Sequence, residues 1–308
     1  MIFFLFFLNY LVITDPGQPI ELGNVQWLRS MDEAQARSKK ECKPILILFQ
    51  EIPGCSTCRN YGSEVLSHPL IVETIETYFI PLAIYNNKSG QDAEVLQLYN
   101  EPAWNNPVVR ITDEKGKDVA SRLNGNYSTL GLADMMINVL IKTQGKAPVY
   151  LQLLTDEIEA NQRGTSTSTY SMYCFWKGEA LFGDVNGVIK TSAGYQEGKE
   201  VVKVEYDPSV ISKVQLDKIS DQSSCKAVSS GSFRSDDTPK YYLSNSKYKS
   251  IPMTEIQKCR VNSALAEGQN PDAFLSPRQL AFTNKSSQNN YVSMSLADAW
   301  TMASQKGL

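Results

Sequence analysis

The chain has 308 residues, of which 42% are hydrophobic and 20% are charged, and its net charge at neutral pH is −3. This length exceeds one ordinary domain and predicts two, and the slightly acidic balance argues against a nucleic-acid-binding surface. His68 is the single histidine, beside six cysteines. Histidine-based metal sites and Ser–His or Cys–His catalysis are therefore nearly excluded, and we expect any chemistry to rest on cysteines, carboxylates and tyrosines.

Residues 2–13 form an apolar run that is interrupted only by Asn9. The run is too short for a membrane-spanning helix, which needs about 20 residues, so we expect no stable membrane span. It resembles the apolar region of a secretory signal, although the basic residues and the cleavage motif of such a signal are missing. We therefore expect residues 1–16 to be a signal-like or truncated leader and the protein to be extracytoplasmic, either periplasmic or secreted.

Strands that alternate with helices predict a mixed α/β domain in the first half of the chain. An apolar run at 44–49 has the length and composition of a buried strand, and Cys55 and Cys58 follow it closely. In chain order, the pattern predicts a helix at 32–42, a strand at 44–49, a helix at 59–66, a strand at 79–85, a helix at 93–99, two hairpin strands at 108–111 and 119–122, and a helix at 128–141.

Cys55 and Cys58 have the spacing of a thiol–disulfide redox pair, in a loop that joins a strand to a helix. Unpaired N–H groups and the helix dipole stabilise a thiolate at the start of a helix. The pKa of such a cysteine falls toward about 7 or below, which makes the sulfur a nucleophile at neutral pH. The alternative is a chance pair or a metal-binding knuckle, with copper as the foremost metal, but the surrounding fold pattern favours redox use.

Residues 22–142 resemble thioredoxin in the segment around Cys55 and Cys58, in the strand after Pro107 and in the closing helix. The Pro-Gly-Cys-x-x-Cys loop is also similar to that of a thioredoxin-like group related to selenoproteins. This resemblance implies a thioredoxin fold in which Pro107 faces the dithiol and shapes substrate docking. It further implies a cis peptide bond between Asn106 and Pro107, because cis bonds are essentially restricted to proline.

The segment 143–167 is predicted to be a border helix and linker between two domains. A helix is expected to begin at Tyr150. The stretch 161–169 is polar and rich in residues that interrupt regular structure, so the domain boundary is expected near it.

In the second domain, a short strand is predicted to deliver Cys174 to the start of a helix, which is again a geometry that activates a thiolate. Phe175 and Trp176 follow directly and would supply an apolar wall beside the sulfur. On these residues alone, a buried structural cysteine in an aromatic strand is the alternative.

This stretch resembles methionine sulfoxide reductase A, whose signature is Gly-Cys-Phe-Trp-x-x-Glu. The resemblance implies an α+β domain over residues 168–283. After it, the sequence itself predicts a polar C-terminal tail at 284–308 with a short helix at 295–304. Two departures stand out. Tyr173 replaces the glycine before the cysteine, and the segment before Glu200 lacks the family's longer loop with its pocket tyrosine.

The resemblance also implies a role for each matching residue. Cys174 would attack the sulfoxide sulfur, and Glu200 would protonate the departing oxygen, unless it is an ordinary exposed strand residue. The expected substrate contacts are Phe175 and Trp176 around the methyl group, and Asp237 and Tyr242 around the oxygen. Cys225 and Cys259 are candidates for resolving the oxidised Cys174 by disulfide formation, with two bystander thiols as the alternative.

Two thiol centres in one chain predict a thiol-dependent oxidoreductase that uses no cofactor and no metal. In the first hypothesis, Cys174 reduces a methionine-S-sulfoxide-like substrate and the Cys55/Cys58 dithiol supplies the electrons. In the alternative, the first domain is a protein disulfide oxidoreductase, and the second is a non-catalytic module that binds its clients. The expected partners are an oxidised protein or peptide substrate and an upstream reductant, and nucleic acid is not expected.

Overall fold

The computed structural model of the protein describes residues 17–223, 226–228, 231–284 and 289–305. Two compact units are distinguished: the first runs to His68 and includes Phe79–Tyr127, and the second comprises Pro69–Tyr78 and the chain from Ser128 onward. The predicted leader and Cys225 lie outside the described residues. Within the described part of the chain, no helix is both long enough and apolar enough to cross a membrane.

Strands and helices alternate in the first half of the chain, as the sequence predicts. In chain order the elements are α1 (Met31–Glu41), β1 (Ile45–Gln50), α2 (Ser56–Asn60), α3 (Pro69–Tyr78), β2 (Ile80–Tyr85), α4 (Gln91–Leu98), β3 (Val108–Thr112), β4 (Leu123–Asn124), α5 (Thr129–Gln144) and α6 (Val149–Arg163). The helix that begins as α2 continues directly into a turn of π-helix at Tyr61–Val65. The predicted helix at 59–66 therefore starts three residues earlier, at Ser56.

The first sheet has the strand order β2-β1-β3-β4. Strand β1 runs parallel to β2 and antiparallel to β3, so the sheet is mixed. Every residue of β1 is buried, as expected for an apolar central strand that is covered on both faces. The loop that carries Cys55 begins at the carboxyl end of β1. Strands β2 and β3 hold β1 in place from both sides.

The predicted strand at 119–122 is wrong. Thr112 and Asp118 form an isolated bridge, but the next strand is only Leu123–Asn124. In the intervening segment Arg122 pairs with Glu101, whose carboxylate is fully buried. Val119 still donates a backbone hydrogen bond to the Ile111 carbonyl at 2.9 Å, but regular strand pairing does not continue to Arg122.

The second half of the chain contains five further strands and six further helices among the described residues. They are β5 (Ser166–Ser171), α7 (Phe175–Gly183), β6 (Val188–Gln196), β7 (Lys199–Tyr206), α8 (Lys213–Gln222), β8 (Lys226–Val228), β9 (Arg234–Ser235), α9 (Tyr241–Ser244), α10 (Glu255–Ala266), α11 (Pro277–Ala281) and α12 (Leu296–Gln305). The expected short helix in the C-terminal tail is present as α12, which buries Ala299 and Ala303.

The second sheet has the order β8-β5-β7-β6-β9, and its pairs are antiparallel. Strands β6 and β7 are joined by Glu197 and Gly198, which have φ values of 51° and 78°. Positive φ at both central residues is typical of a type I′ hairpin turn. The short segment before Glu200 is therefore a tight hairpin. The antiparallel sheet with separate helices makes this part of the chain α+β, as expected.

The predicted polar break at 161–169 is mostly regular structure. Helix α6 continues to Arg163 and β5 already begins at Ser166. Gly164, with φ of 93°, lies between them. Strand β5 pairs with β7 on one side and with β8 on the other, so its place inside the sheet overrides its polar composition.

A hydrophobic core on the second sheet positions α7. Tyr170 stacks on Phe182 with ring centroids 4.8 Å apart, and Val202 and Val204 complete the contact. Gly178 of α7 faces Met172, whose sulfur would lie 1.7 Å from any Cβ at this position. A larger residue here would displace the flexible end of the Met172 side chain, so glycine lets α7 lie close to the segment that leads to Cys174.

Candidate active site

The first thiol centre lies where β1 leads into α2. Cys55 is the N-cap residue of α2 and is exposed, whereas Cys58 lies inside the helix and is 0% exposed. Their sulfurs are 3.7 Å apart. Spacing and local structure thus bring the predicted pair together, with one sulfur open to a substrate and the other shielded.

The two thiols differ in acidity. The pKa of Cys55 lies below its ordinary value, chiefly because the backbone N–H of Cys58 donates a hydrogen bond to its sulfur, and the backbone and side chain of Thr57 add to the effect. Burial raises the pKa of Cys58 to about 12. The exposed sulfur is therefore the more acidic of the two, and the buried sulfur is held as a thiol.

The loop before Cys55 is fixed by side chains from other segments. Asn87 accepts a hydrogen bond from the Ile52 backbone N–H at 3.3 Å and donates one to the Ile52 carbonyl at 3.0 Å. The Glu21 carboxylate accepts from the Gly54 N–H at 2.9 Å. Buried Gln50 donates to the carbonyls of Glu21 and Cys58. The sequence reasoning does not identify these supports, because they depend on contacts between distant segments.

The loop around Pro107 lies against the dithiol. The Asn106–Pro107 peptide bond is cis, which confirms the prediction. The Cys58 thiol donates a hydrogen bond to Asn106 Oδ1 at 2.6 Å. Trp104, two residues earlier, is 82% exposed, so it is a surface residue beside this loop and not part of the core.

The second thiol centre lies where β5 leads into α7. Cys174 is the N-cap residue of α7 and is half-buried, as the strand-to-helix pattern predicts. Glu200 lies on the neighbouring strand β7, and its Oε2 accepts a hydrogen bond from the Phe175 backbone N–H at 3.1 Å. The Glu200 carboxyl group thus contacts the backbone of Phe175, the residue directly after the candidate nucleophile Cys174.

Aromatic side chains surround this centre. Phe175 is 3% exposed and contacts Trp176 and Tyr195 at centroid distances of 5.4 Å and 5.2 Å. Trp176 stacks on Tyr241 at 3.9 Å with the rings 16° from parallel. One face of Trp176 is therefore covered by a tyrosine. Tyr173, which replaces the family's glycine, is fully exposed.

The polar residues near Trp176 differ in part from those predicted. The indole N–H of Trp176 donates to Asp236 Oδ2 at 3.1 Å, while the predicted Asp237 is exposed. Burial raises the pKa of Tyr242, and the negative charge of a Cys174 thiolate raises it further. The carboxylate that contacts the aromatic cluster belongs to Asp236, and the substrate-binding role of Tyr242 stays a prediction. The role of Asp237 stays a prediction.

A buried ion pair supports α7, and neither of its members is among the site residues predicted from the sequence. Glu179 and Lys240 are 1% and 4% exposed, and Lys240 Nζ lies 3.1 Å from Glu179 Oε1. Lys240 also donates to the hydroxyl of Thr191 at 2.9 Å and to the Thr191 carbonyl. Lys240 has φ of 51°, which is an uncommon backbone conformation for a non-glycine residue. This positive φ identifies Lys240 as a residue with a special structural role.

Of the two candidate resolving cysteines, one lies in the described part of the chain. Cys259 belongs to α10 and is buried, with its sulfur 3.8 Å from Thr191 Oγ1 and 3.7 Å from the Ile189 carbonyl. A disulfide from Cys259 to Cys174 would require this interior thiol to be exposed. Cys225 lies outside the described residues, and its resolving role stays a prediction.

The first domain is of the thioredoxin-like class. A family model described as Thioredoxin-like matches residues 26–113, which include the dithiol and the Asn106–Pro107 bond. Two solved structures are similar to the chain. The first is a DsbH oxidoreductase with 23% sequence identity. The match covers 35% of this chain and 78% of the DsbH chain, with a TM-score of 0.30. The second is a thioredoxin from Thermus thermophilus with 20% sequence identity. The match covers 39% of this chain and 89% of the thioredoxin chain, with a TM-score of 0.34.

The chain is also similar, over part of its length, to peptide methionine sulfoxide reductases. Reductase A5 of Arabidopsis thaliana is 35% identical over 103 residues, which are 29% of this chain and 37% of that protein. The peptide methionine sulfoxide reductase of Drosophila melanogaster is 38% identical over 64 residues, or 17% of this chain and 26% of that protein. The matches thus cover 37% of the first relative and 26% of the second.

Proposed function

We propose that the protein is a thiol-dependent oxidoreductase with two cysteine centres. The observation that carries this proposal is the unequal pair at the start of α2: an exposed Cys55 of lowered pKa lies 3.7 Å from a buried Cys58 of raised pKa. In thiol–disulfide exchange, the Cys55 thiolate attacks a disulfide sulfur and expels one thiolate. Cys58 then attacks Cys55 and expels the second, so that the substrate is reduced and the pair becomes a disulfide.

At the second centre, Cys174 reduces a methionine-S-sulfoxide-like group in an oxidised protein or peptide. Its thiolate attacks the sulfoxide sulfur, the oxygen passes to Cys174 as a sulfenic acid, and the thioether leaves. Glu200 supplies the proton for that oxygen, since its carboxyl group is held at the first turn of α7. Phe175 and Trp176 line the side of the substrate methyl group, and Tyr242 supports the oxygen from its position near Cys174.

The dithiol returns Cys174 to its reduced form. A Cys55 thiol condenses with the sulfenic acid, releases water and forms a mixed disulfide, which Cys58 resolves to regenerate Cys174. An upstream dithiol reductant then restores Cys55 and Cys58. Linking the two centres in one chain makes their encounter intramolecular and raises its effective concentration to about the millimolar range. Cys225 or Cys259 would serve the same step if Cys174 were resolved within its own unit.

The test is turnover of a methionine-S-sulfoxide peptide by the full chain with dithiothreitol as electron source. We expect Cys174→Ser to abolish turnover and Cys42→Ser, a variant of an exposed cysteine outside both centres, to keep it. Mass spectrometry of trapped intermediates should find a disulfide between Cys174 and Cys55. Full activity in Cys174→Ser would contradict the assigned roles.

A second candidate function has its own support in the aromatic cluster. Tyr241 covers one face of Trp176, and Phe175 is almost fully buried, so less apolar surface is open to a substrate methyl group than the family resemblance implies. In this alternative the second unit binds client proteins without reacting, and Cys55 and Cys58 perform disulfide exchange. Disulfide reductase activity that survives Cys174→Ser and is lost in Cys55→Ser, together with no sulfoxide turnover, would favour it.

We also propose an extracytoplasmic location, supported by the apolar run at 2–13. Fractionation of cells that express the full chain tests this, with a variant lacking residues 2–13 as control. Export of the full chain alone supports the proposal, and equal retention of both in the cytoplasm contradicts it.

A further inference from the structure

A carboxylate accompanies the two sulfurs of the first centre. Glu51 is the residue that follows β1, and one of its carboxylate oxygens and the sulfurs of Cys55 and Cys58 all lie within 4.8 Å of one another. Glu51 and Cys55 are at least partly exposed, and Cys58 closes the group from inside. The three ligand atoms therefore lie close enough together to share one small ion, with two of the three residues at least partly exposed.

The spacing of the sulfurs matches one coordination geometry. A tetrahedral zinc ion with Zn–S bonds of 2.3 Å holds two thiolates about 3.8 Å apart, and the observed separation is 3.7 Å. A linear two-coordinate ion with bonds of that length would need about 4.6 Å. The pair is thus spaced for a tetrahedral ion without movement of α2, and rotation of the flexible Glu51 side chain brings the oxygen to a third vertex.

We propose that the reduced dithiol and Glu51 form a binding site for a thiophilic divalent cation, of which Zn²⁺ is the representative. Two thiolates and one carboxylate are a donor set that zinc accepts, whereas hard cations such as Mg²⁺ prefer oxygen ligands throughout. Three protein ligands leave the fourth position for water or an incoming thiolate on the exposed side of Cys55. This site lies beyond the proposed function, although it uses the same sulfurs.

Metal binding and disulfide formation exclude each other at this site. Binding one cation to the dithiol releases the two thiol protons and oxidises nothing, whereas a disulfide requires the sulfurs to approach to about 2.05 Å and removes two electrons. Backbone N–H groups of Thr57 and Cys58 that point at the Cys55 sulfur support a metal-bound thiolate in the same way as they support a free one. A bound cation therefore keeps the pair reduced and withdraws it from exchange.

The experiment titrates the reduced, metal-free full chain with Zn²⁺ in competition with a chromophoric chelator. We expect one Zn²⁺ per chain above the background set by the Cys55→Ser/Cys58→Ser double variant, which retains the other four cysteines. Glu51→Gln should weaken binding at least tenfold, and Glu64→Gln, at an exposed position on the following helical turn, should bind as the wild type does. Binding at the level of the double variant, or equal affinity in Glu51→Gln and wild type, would overturn the site.

Co²⁺ gives an independent readout of the ligands. Sulfur-to-cobalt charge-transfer absorption is expected in the reduced protein and its absence overturns the site, as does unchanged absorption after oxidation to the disulfide. Reduction of insulin disulfides in the presence of a chelator separates the two proposals. Exchange without Zn²⁺ binding would reject the metal site alone, and Zn²⁺ binding without exchange would reject the proposed function alone.

Discussion

We expect iodoacetamide at pH 7 to modify Cys55 and to leave Cys58 intact. Alkylation proceeds through the thiolate, and a pKa of about 12 leaves only about 10⁻⁵ of Cys58 in that form at pH 7. This is roughly a thousandfold less than for a thiol with an ordinary pKa of 9.0. Burial of the Cys58 sulfur slows the reaction further. Cys55 is exposed and its pKa is lowered, so its thiolate is already populated where an ordinary thiol is still protonated.

The assay is time-resolved labelling of the reduced protein, followed by quantification of the two modified peptides. The Cys55 rate should rise with pH and level off below the pKa of a free cysteine in the same buffers, because the folded environment favours its thiolate. Cys58 should become reactive only near pH 12 or on unfolding. Equal labelling of both sulfurs at pH 7, or a Cys55 profile that levels off at or above that of free cysteine, would refute the assignment of nucleophile and resolving thiol.

Three further predictions concern the supports of the two centres. Lys240→Met leaves the buried Glu179 charge without its partner and should cost about 3–5 kcal/mol in urea unfolding, against less than about 1 kcal/mol for the exposed Lys213→Met; equal losses would contradict it. Asn87→Ala removes both hydrogen bonds to the redox loop and should cost about 1–3 kcal/mol, with faster amide exchange in that loop; unchanged exchange would contradict it. Glu200→Gln should lower kcat for sulfoxide reduction by about 10²–10⁴ without slowing alkylation of Cys174, and an unchanged kcat would exclude the acid role.

The position of the reactive thiols follows from local sequence. A strand-forming run, a short loop and the first turn of a helix lie within about fifteen residues at each centre, and neighbouring residues decide such structure. Cys55 and Cys174 are both N-cap residues as the patterns predict. The resemblance to thioredoxin predicts the cis bond at Pro107, and the structure confirms it.

The partners of these thiols do not follow from local sequence, because they are set by packing between distant segments. Lys240 is 61 residues from Glu179, and Asp236 is 60 residues from Trp176. For Trp176, the family resemblance points to Asp237 and not to its neighbour Asp236. A shift of one residue in this short irregular segment is enough to place the Asp236 carboxylate where that of Asp237 is expected. The hairpin pattern at 119–122 likewise does not indicate that Arg122 pairs with the buried carboxylate of Glu101, 21 residues earlier in the chain.

The contact between Cys58 and Asn106 links the oxidation state of the dithiol to the loop that precedes Pro107. The Asn106 oxygen accepts the thiol proton of Cys58, and a disulfide sulfur has no proton to donate. Oxidation therefore removes one hydrogen bond from this loop at the moment the electrons leave. The dithiol and the segment before Pro107 thus form one unit, in which the hydrogen bonding of the loop changes with the electron count of the sulfur pair.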